Sequence, residues 1–127
     1  MLEIKYSEKG RGVFTTSPIK KGDVVEKFPT VILDEQDAKY VWESSKTLLH
    51  YVFYMERFKQ TVIMLGYASL YNHSTIPNCE IEYDNAAEMR IEALRDIEAG
   101  EELMFNYNFD GEEVFVDKSY YELYKHK

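Results

Sequence analysis

A chain of 127 residues is the length of one domain, and its 45% hydrophobic and 15% aromatic content excludes a disordered polymer. The formal charge of −8, from 23 acidic and 15 basic residues, repels nucleic acid phosphate and anionic membranes and attracts cationic ligands. A basic peptide is the partner this charge favours, although solvation alone explains the acidity equally well. No apolar run approaches the ~20 residues that cross a bilayer. The start, MLEIKYSEKG, lacks the apolar stretch of a secretory signal, and one cysteine cannot form an internal disulfide. An intracellular, reducing location is therefore expected. Asn72-His73-Ser74 fits a glycosylation sequon, which without a secretion signal is a chance match.

Along the chain, Val13-Phe14 follows Gly10-Arg11-Gly12, and DVVEKF (Asp23 to Phe28) follows the turn KKGD; both read as short strands bounded by glycine. Pro29 interrupts before TVIL resumes extended structure. Asp34 is placed as an N-cap, with Glu35 and Asp37 in the first turn of a helix through about Glu43. LHYVFYM and TVIML are rich in β-branched and aromatic residues and predict two strands, with ERFKQ as the hairpin loop between them. GYASLYNHS predicts a short helical turn leading into a loop. CEIEY and MRIEAL alternate apolar and charged residues as half-buried strands do. ELMFNY predicts a last strand ending at Tyr107, and SYYELYKHK from Ser119 a short amphipathic helix. IKKGDVV from Ile19 and IEAGEEL from Ile97 echo each other as a glycine turn feeding a strand, a reused turn rather than a repeat architecture. The sum is a mainly β protein, β-rich α+β, of many short strands with minor helix.

No metal is expected. His50, His73 and His126 are scattered, Cys79 stands alone, and no pair has the spacing that brings two soft ligands to one zinc ion. Cys79 with His73 is a nucleophile only in principle; a lone cysteine opening a strand reads better as a small buried apolar residue. Ser74 beside His73 is weaker still, because sequence neighbours rarely present a hydroxyl and its base to each other. Gly10-Arg11-Gly12 lacks the lysine and spacing of a phosphate-binding loop. Two glycines one apart do let backbone approach a ligand closely, although such a pair is commonly just a turn. The 11 tyrosines are the remaining oddity. Several flat walls carrying hydroxyls of pKa ~10 can line a slot for an aliphatic stem with a cation at its tip. Most serve as core or surface aromatics, and FNY at the end of the last strand is the functional candidate.

In order, EKGRGVF, GYASLYNHSTIPNC and AGEELMFNY resemble the SET-domain protein-lysine methyltransferases, across about residues 3–110. That family's pattern is a G-x-G-hydrophobic-Phe segment, an N-H-S-x-x-P-N-C segment, and a G-E-E-hydrophobic strand ending in tyrosine. The resemblance implies a SET-type fold of several short-stranded sheets with a C-terminal pseudoknot. It implies a SET domain over residues 1–110 and a tail, 111–127, that packs to complete a lysine channel. The implied cofactor is S-adenosyl-L-methionine, contacted by Asn72 and by His73, the latter largely through its backbone at the adenine. Lys9, Gly10 and Arg11 would offer backbone to its methionine end. Tyr107 matches the catalytic tyrosine, beside the cofactor.

Tyr51 matches the tyrosine lining the lysine channel, with Tyr54 as the competing register. Phe105 matches a channel position where phenylalanine goes with di- or trimethylation. Phe109 would join that wall, and Phe115, Tyr120 and Tyr121 would help close it. Ser74, Pro77, Asn78 and Cys79 shape the loop. The sequence departs from larger members in lacking flanking cysteine clusters, the minimal layout of compact viral and bacterial SET proteins. Asn106 and Asn108 also replace the acid or glycine often found beside the tyrosine. The activity implied is methyl transfer to a lysine of a basic protein or peptide, a histone tail among them, in the cytoplasm or, in a eukaryotic or viral setting, at nuclear or host chromatin. Neither nucleic acid nor membrane contact is expected, and a homodimer is left open. The rival readings are a catalytically silent SET-like binding module and an acidic structural or assembly protein.

Overall fold

The alternation in CEIEY and MRIEAL becomes an antiparallel pair: Cys79 opposes Ala93 and Ile81 opposes Ile91, with all four side chains buried. That pair closes one end of a five-stranded sheet in the computed structural model, which describes residues 1–108. The described strands are β1 (Leu2–Ser7), β2 (Gly10–Thr15), β3 (Val24–Ile32), β4 (Val52–Met55), β5 (Gln60–Met64), β6 (Asn72–His73), β7 (Cys79–Tyr83), β8 (Glu88–Ala93) and β9 (Glu102–Phe105). One α-helix, α1 (Glu35–Ser44), and two 3-10 turns, Leu48–His50 and Ala68–Leu70, accompany them. The sheets run β4-β5-β3-β8-β7 and β1-β2-β9-β6. The expected mainly β fold is what forms. The channel residue Phe109, the tail residues Phe115, Tyr120 and Tyr121, and the helix expected from Ser119 lie outside the described residues.

Local chemistry explains most element ends. The Asp34 carboxylate accepts from the Asp37 N–H at 2.8 Å, so the cap starts α1 as expected. Val41 is the buried residue of the helix, and Trp42 Nε1 donates to Thr61 Oγ1 at 2.9 Å, tying the helix to β5. LHYVFYM is extended only from Val52, because Leu48–His50 is taken up by a 3-10 turn. The hairpin to β5 turns through Lys59 at φ 54. The two echoing segments meet: Ile19 and Ile97 exchange backbone hydrogen bonds of 2.9 and 2.8 Å, and their turns place Gly22 at φ 87 and Gly100 at φ 91.

Three differences from the sequence reading have physical causes. β3 continues through Pro29, because there it passes from β8 (through Pro29↔Glu88) to β5 (from Thr30↔Met64). A missing N–H is tolerable at that hand-over. β1 was not anticipated, although Leu2 and Ile4 alternate with charged residues and pack on the core. Asn72-His73, expected in a loop, forms a two-residue strand parallel to β9. Neither residue favours strand locally, so long-range pairing imposes the conformation.

One core gathers Val13, Phe28, Phe53, Tyr71, Leu103, Phe105 and Tyr107, all essentially buried. Cys79 is buried in it, and burial pushes its thiol up to about 12, as suits an inert core residue. Among the described residues no helix is long and apolar enough to cross a membrane. Replacing Asp34 with Ala should lower stability by about 1 kcal/mol; urea unfolding should show an earlier midpoint at an unchanged slope.

Candidate active site

The chemistry-bearing motifs meet because β9 is inserted between two strands of distant origin. β9 runs antiparallel to β2 (Val13↔Leu103) and parallel to β6 (Asn72↔Met104, His73↔Phe105). Asn72 Nδ2 donates to Glu102 Oε2 at 2.7 Å and to the Arg11 carbonyl at 3.2 Å, which commits both amide hydrogens. Ser7 Oγ donates to the other Glu102 oxygen at 3.2 Å. Gly12 lies beneath this knot, where a Cβ would come within 2.3 Å of Glu102 Oε2 and 2.8 Å of Asn72 Nδ2. Close approach, rather than a turn, is therefore what Gly12 provides.

The N-H-S-x-x-P-N segment then wraps β9. Asn78 Nδ2 donates to the Glu102 carbonyl at 2.8 Å, and its Oδ1 accepts from Met104 N at 2.9 Å, imitating a strand's backbone. Ser74 N donates to the Phe105 carbonyl at 3.1 Å, and Ser74 Oγ accepts from Ile76 N at 3.1 Å. Ser74 and Asn78 thus take the loop-shaping part expected of them. The C-terminal pseudoknot implied by the resemblance falls in part on residues outside those described. In the parallel register, Phe105 is bonded by the residues flanking His73 rather than by His73 itself.

His73 Nδ1 accepts from the Tyr107 N–H at 3.0 Å. Burial first, and the charge of Lys9 second, pull the imidazole down to about 4, so at neutral pH it is uncharged with its proton on Nε2. Lys9 is exposed in the β1–β2 turn, its N–H on Ser7 Oγ at 3.1 Å.

Tyr107 is 2% exposed and donates its hydroxyl to the Tyr71 carbonyl at 2.5 Å. Around its ring stand Phe53, edge-on at 5.3 Å, His73 at 5.1 Å and Phe105 at 5.4 Å. Phe105 also packs on Phe53 and Tyr71. Because the Tyr107 proton is committed to Tyr71, the oxygen is left as an acceptor inside aromatic walls. That arrangement can take a hydrogen bond from an amine.

Of the two candidate channel tyrosines, Tyr51 receives a hydrogen bond from Arg11 Nη2 at 3.1 Å. Tyr54 instead lines a cleft of about 580 Å³ with Leu33, Trp42 and Thr61, against α1. Arg11, expected to act through backbone, thus also enters with its side chain, and its Nε is buried without a partner among the described residues. Lys9, Gly10, Arg11, Asn72, His73, Tyr51, Phe105 and Tyr107 converge on this junction, whereas Phe109 lies outside the described residues. Sequence reasoning missed Phe53, Tyr71 and Glu102. Phe53 lies in the β-branched and aromatic run that reads as a strand, and Glu102 falls within the G-E-E motif without its role being marked, but nothing local marks the Tyr71 carbonyl. No cluster of three or more His, Cys, Asp or Glu suited to a metal occurs among the described residues.

A family model described as the SET domain matches residues 10–108, and the chain belongs to that family. Mouse histone-lysine N-methyltransferase NSD3 is 36% identical over 119 residues, covering 84% of this chain and 8% of that protein. A histone-lysine N-methyltransferase of Schizosaccharomyces pombe, described as H3 lysine-37 specific, is 32% identical over 108 residues, 84% of this chain and 72% of that protein. A crystal structure of a candidate histone methyltransferase from Plasmodium falciparum superposes with a TM-score of 0.67 at 29% identity, covering 84% of this chain and 91% of the other.

Two outcomes follow from the geometry. Gly12→Ala should cost about 1–3 kcal/mol of stability through overpacking, seen as a lower thermal midpoint, since Glu102 or Asn72 must move. For His73, the folded value near 4 lies below the ordinary 6.5. The unfolded chain therefore takes up a proton that the fold refuses, and stability falls as pH drops from about 6.5 to about 4. His73→Gln should lose less of its thermal midpoint than wild type across that window.

Proposed function

We propose that the protein is an S-adenosyl-L-methionine-dependent protein-lysine N-methyltransferase. The observation that carries this reading is the buried Tyr107 hydroxyl, held by Tyr71 and walled by Phe53, His73 and Phe105. The residues present fit the cofactor. Arg11 Nε, buried without a partner among the described residues, and the exposed Lys9 two residues away supply cationic groups that suit a carboxylate. Gly10, Arg11, Asn72 and His73 would hold it, with Lys9 at its carboxylate end. When bound, it supplies an electrophilic methyl group on a sulfonium.

The chain's own part is to prepare the amine. Lysine has a pKa of ~10.4, so reaching the reactive neutral form at pH 7 costs about 4–5 kcal/mol. Dry aromatic walls disfavour the ammonium and lower that cost. The Tyr107 oxygen accepts from the amine and turns its lone pair toward the methyl carbon, and alignment of this kind supplies much of the rate. Tyr51 and Phe105 would line the lysine stem, with Phe109 continuing the wall, and Phe105 goes with more than one methyl transferred. The substrate is a lysine in a basic protein or peptide. The charge of −8 favours such a partner, and the mouse and fission-yeast relatives, both histone-lysine N-methyltransferases, point to histone tails. The site of action would be cytoplasm or chromatin accordingly.

Mass spectrometry of a lysine-peptide array incubated with S-adenosyl-L-methionine should find added methyl groups. Tyr107→Phe should cut that transfer by about 100-fold while leaving the thermal shift caused by S-adenosyl-L-methionine in place. A protein that gains no thermal shift and methylates no peptide would overturn the reading.

A further inference from the structure

Glu26 lies on β3 at the bulge where the register to β8 shifts between Val24 and Glu26. Bulges re-aim side chains, and here the carboxylate turns in on the same side as buried Phe28, with no ion-pair partner among the described residues. Both oxygens are engaged. Oε1 accepts from the Tyr71 hydroxyl at 3.0 Å and Oε2 from the Tyr67 N–H at 3.2 Å. These donors stand at the two ends of the 3-10 turn Ala68–Leu70, which no side chain of its own caps and which Leu70 N to Tyr67 O closes at 2.9 Å. Gly66 precedes it at φ 65, where a Cβ would come within 2.7 Å of Glu26 Oε2. The backbone is therefore drawn as close to this carboxylate as a chain can come.

The residue clamped at the far end is the one whose carbonyl accepts the Tyr107 hydroxyl at 2.5 Å. We propose that Glu26 is a positioning residue for the transfer step: by holding the Tyr71 side chain it fixes the Tyr71 carbonyl, and that carbonyl sets the rotation of the Tyr107 hydroxyl. This rests on the methyltransferase reading above. Two donors arriving at separate oxygens require two acceptors, which a carboxylate has and an amide lacks. Burial pushes the Glu26 carboxyl up, while the Tyr67 and Tyr71 bonds hold it down. A charge kept here without a cation is costly, and a plain loop anchor would not need one. The Tyr71 hydroxyl is in turn raised above the ordinary tyrosine value by burial and by Glu26, so it stays a donor at any working pH.

The test uses the full chain as Glu26→Gln, Tyr71→Phe and the double variant. Tyr71→Phe keeps ring and carbonyl and removes only the hydroxyl that Glu26 grips. Peptide turnover is measured together with the ring-carbon NMR resonance of Tyr107 in tyrosine-labelled protein. The expected result is a kcat about ten-fold lower in each single variant, an unchanged KM for S-adenosyl-L-methionine, and a shifted Tyr107 resonance. The double variant should be no worse than the more damaged single one. Wild-type kcat with an unmoved resonance in both variants overturns the proposal. So does a loss confined to KM or matching the loss of folded protein, since that is what a mere anchor would do. If wild type methylates nothing, the activity reading fails on its own. The resonance then decides the coupling: moved upholds the link from Glu26 to Tyr107, unmoved overturns it.

Discussion

The rest of the structure depends on how β9 is held between β2 and β6. A two-residue parallel strand supplies few ladder hydrogen bonds, and parallel pairing is slightly weaker per residue than antiparallel. Side chains make up the difference. Asn78 bonds both the Glu102 carbonyl and the Met104 N–H, and Asn72 ties Glu102 to the Arg11 carbonyl. Each such bond contributes about 1 kcal/mol net, and together they specify one register. Register matters because a slip of one residue would turn Phe105 and Tyr107 out of the core and Met104 and Asn106 into it. The position of the Tyr107 hydroxyl is thus a consequence of amides whose bonds to β9 span 24 to 30 residues of chain.

Charge is distributed unevenly over this frame. The chain is acidic overall, yet Lys9 and Arg11 stand at one rim of the junction, and His73 between them and Tyr107 is neutral at physiological pH. A cationic guest is drawn by the whole field, and an anionic group finds local cations at the glycine-rich rim. Between the two lies an aromatic shell of Phe53, Tyr71, Phe105 and Tyr107 in which water is scarce and a neutral amine is favoured over an ammonium. Tyr71 serves twice there, its ring packing on Phe105 and its carbonyl taking the Tyr107 proton.

What the amino-acid order determined by itself was local. Alternation marked β7 and β8, the Asp34 cap marked α1, and β-branched runs marked the hairpin of β4 and β5. These are legible because capping, side-chain period and turn chemistry act over a few residues, whereas Gly10–Gly12, Asn72-His73 and Tyr107 were joined into one candidate site only by the resemblance of their motifs to the SET family. Tertiary structure alone decided that Asn72-His73 is a strand, that β3 runs on through Pro29, and that Tyr51 rather than Tyr54 meets Arg11. It alone brought Glu26, Phe53, Glu102 and the Tyr71 carbonyl to the site. Each of those depends on a partner far along the chain, and a hydrogen bond spanning 36 or 45 residues, as Tyr107 to Tyr71 and Tyr71 to Glu26 do, leaves no periodicity behind.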